Sequence, residues 1–116
     1  MSRDPALFLA EMRTALMDIL EFTQGMSREA FLADKKVRLA VIRCFEIIGE
    51  AAKGLSAEVR GMDPSLDWKG ICGMRDRLIH QYFGIDDEVV WEAVEVDVQP
   101  ILAAIIRIQA NLPSRQ

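Results

Sequence analysis

Eight consecutive residues, Arg75-Asp76-Arg77-Leu78-Ile79-His80-Gln81-Tyr82, contain the only histidine and the only tyrosine of the chain, and place an arginine five positions before that histidine. A guanidinium stays charged and presents a planar fork that matches a phosphate, while an imidazole exchanges protons near neutral pH. Together they suit work on a phosphodiester. Cleaving RNA without a metal requires a base for the 2′-OH, an acid for the leaving oxygen and a cation facing the phosphorane. Arg75 would be the cation and His80 the acid/base group, with no metal or other cofactor in the reading.

Periodicity predicts that this stretch rides on one helix from Trp68 to about Gly84, capped by Asp67. At about 100° per residue, Trp68, Cys72, Ile79, Tyr82 and Phe83 share a face, with Arg75 in its middle. A charge there must be paired or look into a cleft, because an isolated buried ion is very costly. His80 lies roughly 140° around from Arg75 on the same ideal helix. It shares a line with Gly73, which leaves room for the ring, and with Asp76. At i,i+4, Asp76 can hydrogen-bond the imidazole, fix its tautomer and raise its pKa. A site using both Arg75 and His80 then needs the arginine's reach, a distorted helix end, or a second copy of the motif from another subunit. Two chains meeting here would bring two histidines and two arginines, completing an acid/base pair from identical parts.

Simpler roles compete for each residue. Arg75 can form a structural ion pair with Glu46 or Glu50, His80 can cap a helix C-terminus, and Tyr82 can be core with a wet hydroxyl. Arg77 reads as solvated surface. Glu46 and Glu50 sit at i,i+4, but without neighbouring histidines they read as a solvated or arginine-paired face rather than a metal site.

The positioning elements are helical almost throughout. Phe8, Met12, Ala15, Ile19 and Phe22 form the stripe of a first helix, capped by Asp4, opened by Pro5 and closed at Gly25. A short turn follows over residues 27–32. Residues 34–53 carry the clearest stripe, Val37, Val41, Cys44, Ile48 and Ala51, continuing to Leu55. Phe45, Ile47 and Ala52 broaden it, so burial is expected on more than one side, by bundle neighbours or by a partner subunit. Residues 56–64 connect, with one helical turn. Asp86, Asp87 and Glu88 open the last helical stretch with acids at the positive end of the dipole. Pro100 must kink or split that stretch, and it falls in a first turn if Asp97 caps anew. An all-α, up-and-down bundle in one domain over residues 1–116 is the expected architecture.

The bulk numbers agree. With 116 residues, 51% hydrophobic and 28% charged, the chain can bury a core unaided. Its longest apolar run, at residues 101–106, is far short of a membrane span, and the polar start carries no secretory signal. Cys44 and Cys72 lack metal-ligand spacing and read as reduced, buried thiols of a cytoplasmic protein. The net charge of −4 argues against broad nucleic-acid affinity. A local basic segment remains: Lys69, Arg75 and Arg77 stand against Asp76 alone.

The block Trp68-x-x-Ile71-x-Gly73-Met74-Arg75-Asp76-x-Leu78-Ile79-His80-x-Tyr82-Phe83 resembles the HepT toxins of the HEPN superfamily. Gly49-Glu50-Ala51-Ala52-Lys53 and Val90-Trp91 extend the resemblance over almost the whole chain. It implies an all-helical homodimer acting as a metal-independent endoribonuclease in a prokaryotic toxin–antitoxin pair. The implied antitoxin is a minimal nucleotidyltransferase that transfers AMP to the motif tyrosine. Carried over by position, Arg75 stabilises the phosphate, His80 is the acid/base, Asp76 supports them and Tyr82 is the modification site. A bulky anion on Tyr82, close to Arg75, would block substrate by occupancy and like charge. The alternative is a non-catalytic helical module that binds such a nucleotidyltransferase.

Overall fold

The computed structural model describes residues 4–80 and 84–113, with only the backbone described at Ile79, His80 and Ile85. Eight helices occupy the described residues: α1 (Pro5–Phe22), α2 (Arg28–Ala33), α3 (Lys35–Lys53), α4 (Ala57–Arg60), α5 (Trp68–Cys72), α6 (Met74–Leu78), α7 (Asp87–Val96) and α8 (Val98–Asn111). Between α6 and α7, β1 (Ile79–His80) pairs antiparallel with β2 (Gly84–Ile85). The fold is all-α, this two-residue pairing apart.

Local chemistry sets most helix starts. Asp4, Ser27, Asp34, Ser56, Asp67 and Asp86 each accept a hydrogen bond from a backbone N–H of the first turn, at 3.0–3.3 Å. Those N–H groups have no partner within the helix, so each cap satisfies a donor that would otherwise need water. The stretch that begins at Asp86 divides at Asp97, leaving Pro100 in the first turn of α8. Asp97, however, makes no capping hydrogen bond.

Helix α3 is the centre of the bundle, packed along α1 and against α2, α5, α6 and α7. Its Val41, Cys44, Phe45, Ile48, Ala51 and Ala52 are all buried. The chain's own helices cover these positions, while Val37 and Ile47 of the same broad face stay half-buried. On α1 the buried stripe is Leu9, Met12, Ala15, Leu16 and Ile19 rather than one running from Phe8 to Phe22. Phe8 is half-buried, its ring occupying the space that a side chain at position 54 would fill, and Phe22 is exposed. The helix ends at Phe22 with Thr23 as its cap, before Gly25. No helix among the described residues is long and apolar enough to cross a membrane.

Candidate active site on α6 and β1

The motif does not ride on one continuous helix. α5 closes at Cys72, Gly73 caps it, and α6 runs only from Met74 to Leu78. The buried positions are Trp68, Ile71, Met74 and Leu78, a face rotated by about one residue from the expected line through Cys72 and Ile79. Met74 and Leu78, four apart, are each 1% exposed and fix α6 to the core. Arg75, Asp76 and Arg77 consequently all lie exposed. Arg75 stands beside the apolar face instead of within it, so its charge is not buried.

After Leu78 the chain is extended. Ile79 pairs with Ile85 and His80 with Gly84, while the Asp86 N–H donates to the Leu78 carbonyl at 3.2 Å. Gly84 has φ +76°, a conformation that side chains resist and glycine takes freely. Ending the helix two residues before His80 removes two expectations that rested on helical geometry. The i,i+4 line from Asp76 to His80 does not exist, and the 140° separation of Arg75 and His80 does not apply. The helix end is distorted at this point, and the His80 side chain lies outside what is described. Asp76 has no partner among the described residues. Tyr82, with Gln81 and Phe83, lies outside the described residues; in sequence it is the middle one of the three that join His80 to Gly84.

Arg75 pairs with Glu46 of α3, Nε to Oε2 at 3.6 Å. Its side chain is 56% exposed against 29% for Glu46. Among the described residues its two Nη nitrogens make no hydrogen bond. Glu50, the other candidate partner, pairs with Lys53 at 3.3 Å. What the arrangement offers chemically is an exposed guanidinium paired at Nε, on a short helix that leads directly into the backbone of His80.

Arg77 is not merely solvated. It donates to Asp97 Oδ2 at 2.8 Å and to Met74 Sδ at 3.2 Å. This explains the missing cap on α8: the Asp97 carboxylate points at a guanidinium twenty residues upstream. Asp97 thus stands at the N-cap position of α8, as one reading of Pro100 expects, but with its carboxylate given to Arg77, for which the sequence carries no local signal. Cys72, expected to be buried, is only half-buried. Cys44 is buried, and that burial, aided by Asp18 and opposed by Arg43, pushes its thiol pKa up. It lines a groove of about 410 Å³ between α1 and α3 that contains no motif residue.

Known proteins resemble this chain over most of its length. A protein of Methanocaldococcus jannaschii named "Putative RNase MJ0125" is 39% identical over 113 residues, 97% of each chain. A "Probable ribonuclease HepT" of Thermococcus cleftensis is 42% identical over 98 residues, 84% of this chain and 89% of its own. A second Methanocaldococcus jannaschii protein, "Putative RNase MJ1216", is 41% identical over 99 residues, 85% of this chain and 82% of its own. No solved structure matches significantly. The family model described as "Ribonuclease HepT-like" matches residues 12–108, a span that takes in α3, the Arg75–His80 turn and most of α8. With that match and these relatives, the chain belongs to the ribonuclease HepT-like family.

Proposed function

We propose that this protein is a metal-independent endoribonuclease whose working groups are Arg75 and His80. The observation that carries the reading is an exposed arginine on α6, five residues ahead of the only histidine, in a chain of this family. Arg75 would bind the scissile phosphate and stabilise the charge that builds on it. His80 would take or give the proton, with Asp76 in support. In the reaction the 2′-oxygen bonds to phosphorus as the bond from phosphorus to the 5′-oxygen breaks. The 2′-OH proton passes to a base, and the leaving oxygen receives one from an acid.

One chain holds a single histidine. A second copy would provide the missing acid or base, which is the support for a homodimeric enzyme. Tyr82 is proposed as the site at which a nucleotidyltransferase antitoxin places AMP from ATP, releasing pyrophosphate. The setting would be a cytoplasmic toxin–antitoxin pair.

Incubating a labelled single-stranded RNA with the wild-type protein and with Arg75→Ala and His80→Ala tests the reading. Wild type is expected to cut in the presence of EDTA, and each variant to lose at least about 100-fold in rate. Undiminished cutting by either variant would remove that residue from the mechanism. No cutting by unmodified wild type would favour the non-catalytic module. A solution mass of one chain would refute the dimer. An adenylyl adduct on a residue other than Tyr82, after co-expression with the nucleotidyltransferase, would overturn the modification site.

A further inference from the structure

Helix α3 approaches the α5–α6 joint with nothing between the backbones. A Cβ added at Gly49 would lie 3.3 Å from the Ile71 carbonyl oxygen and 3.7 Å from Met74 Cβ. The 3.3 Å spacing to Ile71 is tighter than a side chain accepts without movement, so glycine at position 49 lets α3 lie close against the end of α5, from which α6 follows. Glu46 lies three residues earlier, on the same side of α3, and the close approach brings its carboxylate to Arg75.

The contact has a particular form. Glu46 meets Arg75 at Nε, on the inner edge of the guanidinium, at a distance of ion pairing rather than of a short hydrogen bond. An arginine has five N–H donors in a rigid plane, so a partner at Nε orients the plane and leaves Nη groups for a second anion. The side chain as a whole is more than half exposed and carries several rotatable bonds that would otherwise sample many directions. Such an exposed pair adds little to fold stability. Its effect is on where the fork points.

We infer that Glu46 is a positioning residue for Arg75, holding the guanidinium by Nε so that its Nη groups face an RNA phosphate. The inference rests on the ribonuclease reading for its catalytic consequence, but not for its geometric one. Glu46 is itself an anion close to the phosphate position, so it opposes ground-state binding while organising the transition state. That combination predicts a split between the kinetic constants.

Glu46→Gln keeps the shape and removes the charge. With a labelled single-stranded RNA, its kcat is expected to fall about 10- to 100-fold, with RNA affinity unchanged or tighter and Tm unchanged. In an Arg75→Lys background, which has no Nε to hold, the same substitution is expected to change kcat less than twofold. An unchanged or raised kcat would overturn the inference, as would weaker RNA binding, a fall in Tm, or an equal effect in the lysine background. Independently of catalysis, the 15N-resolved Nε–Hε signal of Arg75 is expected to shift and exchange faster with water in Glu46→Gln. If that signal is indifferent to the substitution, the tether does not exist. Wild-type protein that cuts no RNA would sink the ribonuclease reading alone, and the arginine signal would still decide the inference.

Discussion

At Asp63, a carboxylate with 7% of the residue exposed, three side chains meet. It accepts from the Ser65 hydroxyl and from Arg107, at 3.2 Å from Nε and 2.7 Å from Nη2, while its backbone carbonyl accepts from the Trp68 indole at 3.0 Å. The Ser65 and Arg107 hydrogen bonds hold its carboxyl below the usual carboxylate range, against the opposing effect of burial. A lowered folded pKa means that the unfolded chain binds the proton more readily. The stabilisation is therefore complete above the ordinary value of about 3.9 and is lost as pH falls through the lower folded one. Asp63→Asn is expected to melt below wild type at pH 7, with the gap closing as melts are taken below about pH 4. A gap that widens in acid would contradict this account of the clip between the α4–α5 connector and α8.

At the scale of elements, α6 matters most: five residues held by a core pair underneath and by two carboxylates at its sides. Leu78→Ala is expected to destabilise the fold by about 2–5 kcal/mol in chemical denaturation, since it empties a fully packed position. Asp76→Ala, on the open side of the same helix, should change stability by no more than about 0.5 kcal/mol. A small loss for Leu78→Ala would mean that α6 is not anchored as described. The helix starts were legible in the sequence because a cap is local: Ser27, Asp34, Asp67 and Asp86 each bond a backbone N–H two or three residues on. The face of the motif helix was not. Ile71, Cys72, Met74, Leu78 and Ile79 are all apolar, and two stripes one residue apart fit the same period. Nor was its end, which depends on pairing with residues 84–86, nor Asp97, which Arg77 draws away from its cap.

For the whole molecule, the all-α bundle followed from periodicity and the family from an extended motif. The two arguments for a second subunit now weigh differently. The chain's own α1, α2, α5, α6 and α7 cover much of the broad face of α3 but leave Val37 and Ile47 half-buried, which narrows that argument. The single histidine remains, and it is a statement about chemistry rather than packing. Glu46 as the partner of Arg75 was one of two candidates in the sequence; the structure pairs it with Arg75 and pairs Glu50 with Lys53. The bundle thus brings an arginine, an acid from a distant helix and the histidine backbone to one turn.

That this turn cleaves RNA through the 2′-hydroxyl is the central claim, and the ends of the products test it most directly. RNA cut by the wild-type protein in EDTA should end in 2′,3′-cyclic phosphate and begin in 5′-hydroxyl, and a fully 2′-deoxy version of the same strand should stay intact. Products with 5′-phosphate ends, or cleavage of the deoxy strand, would contradict it.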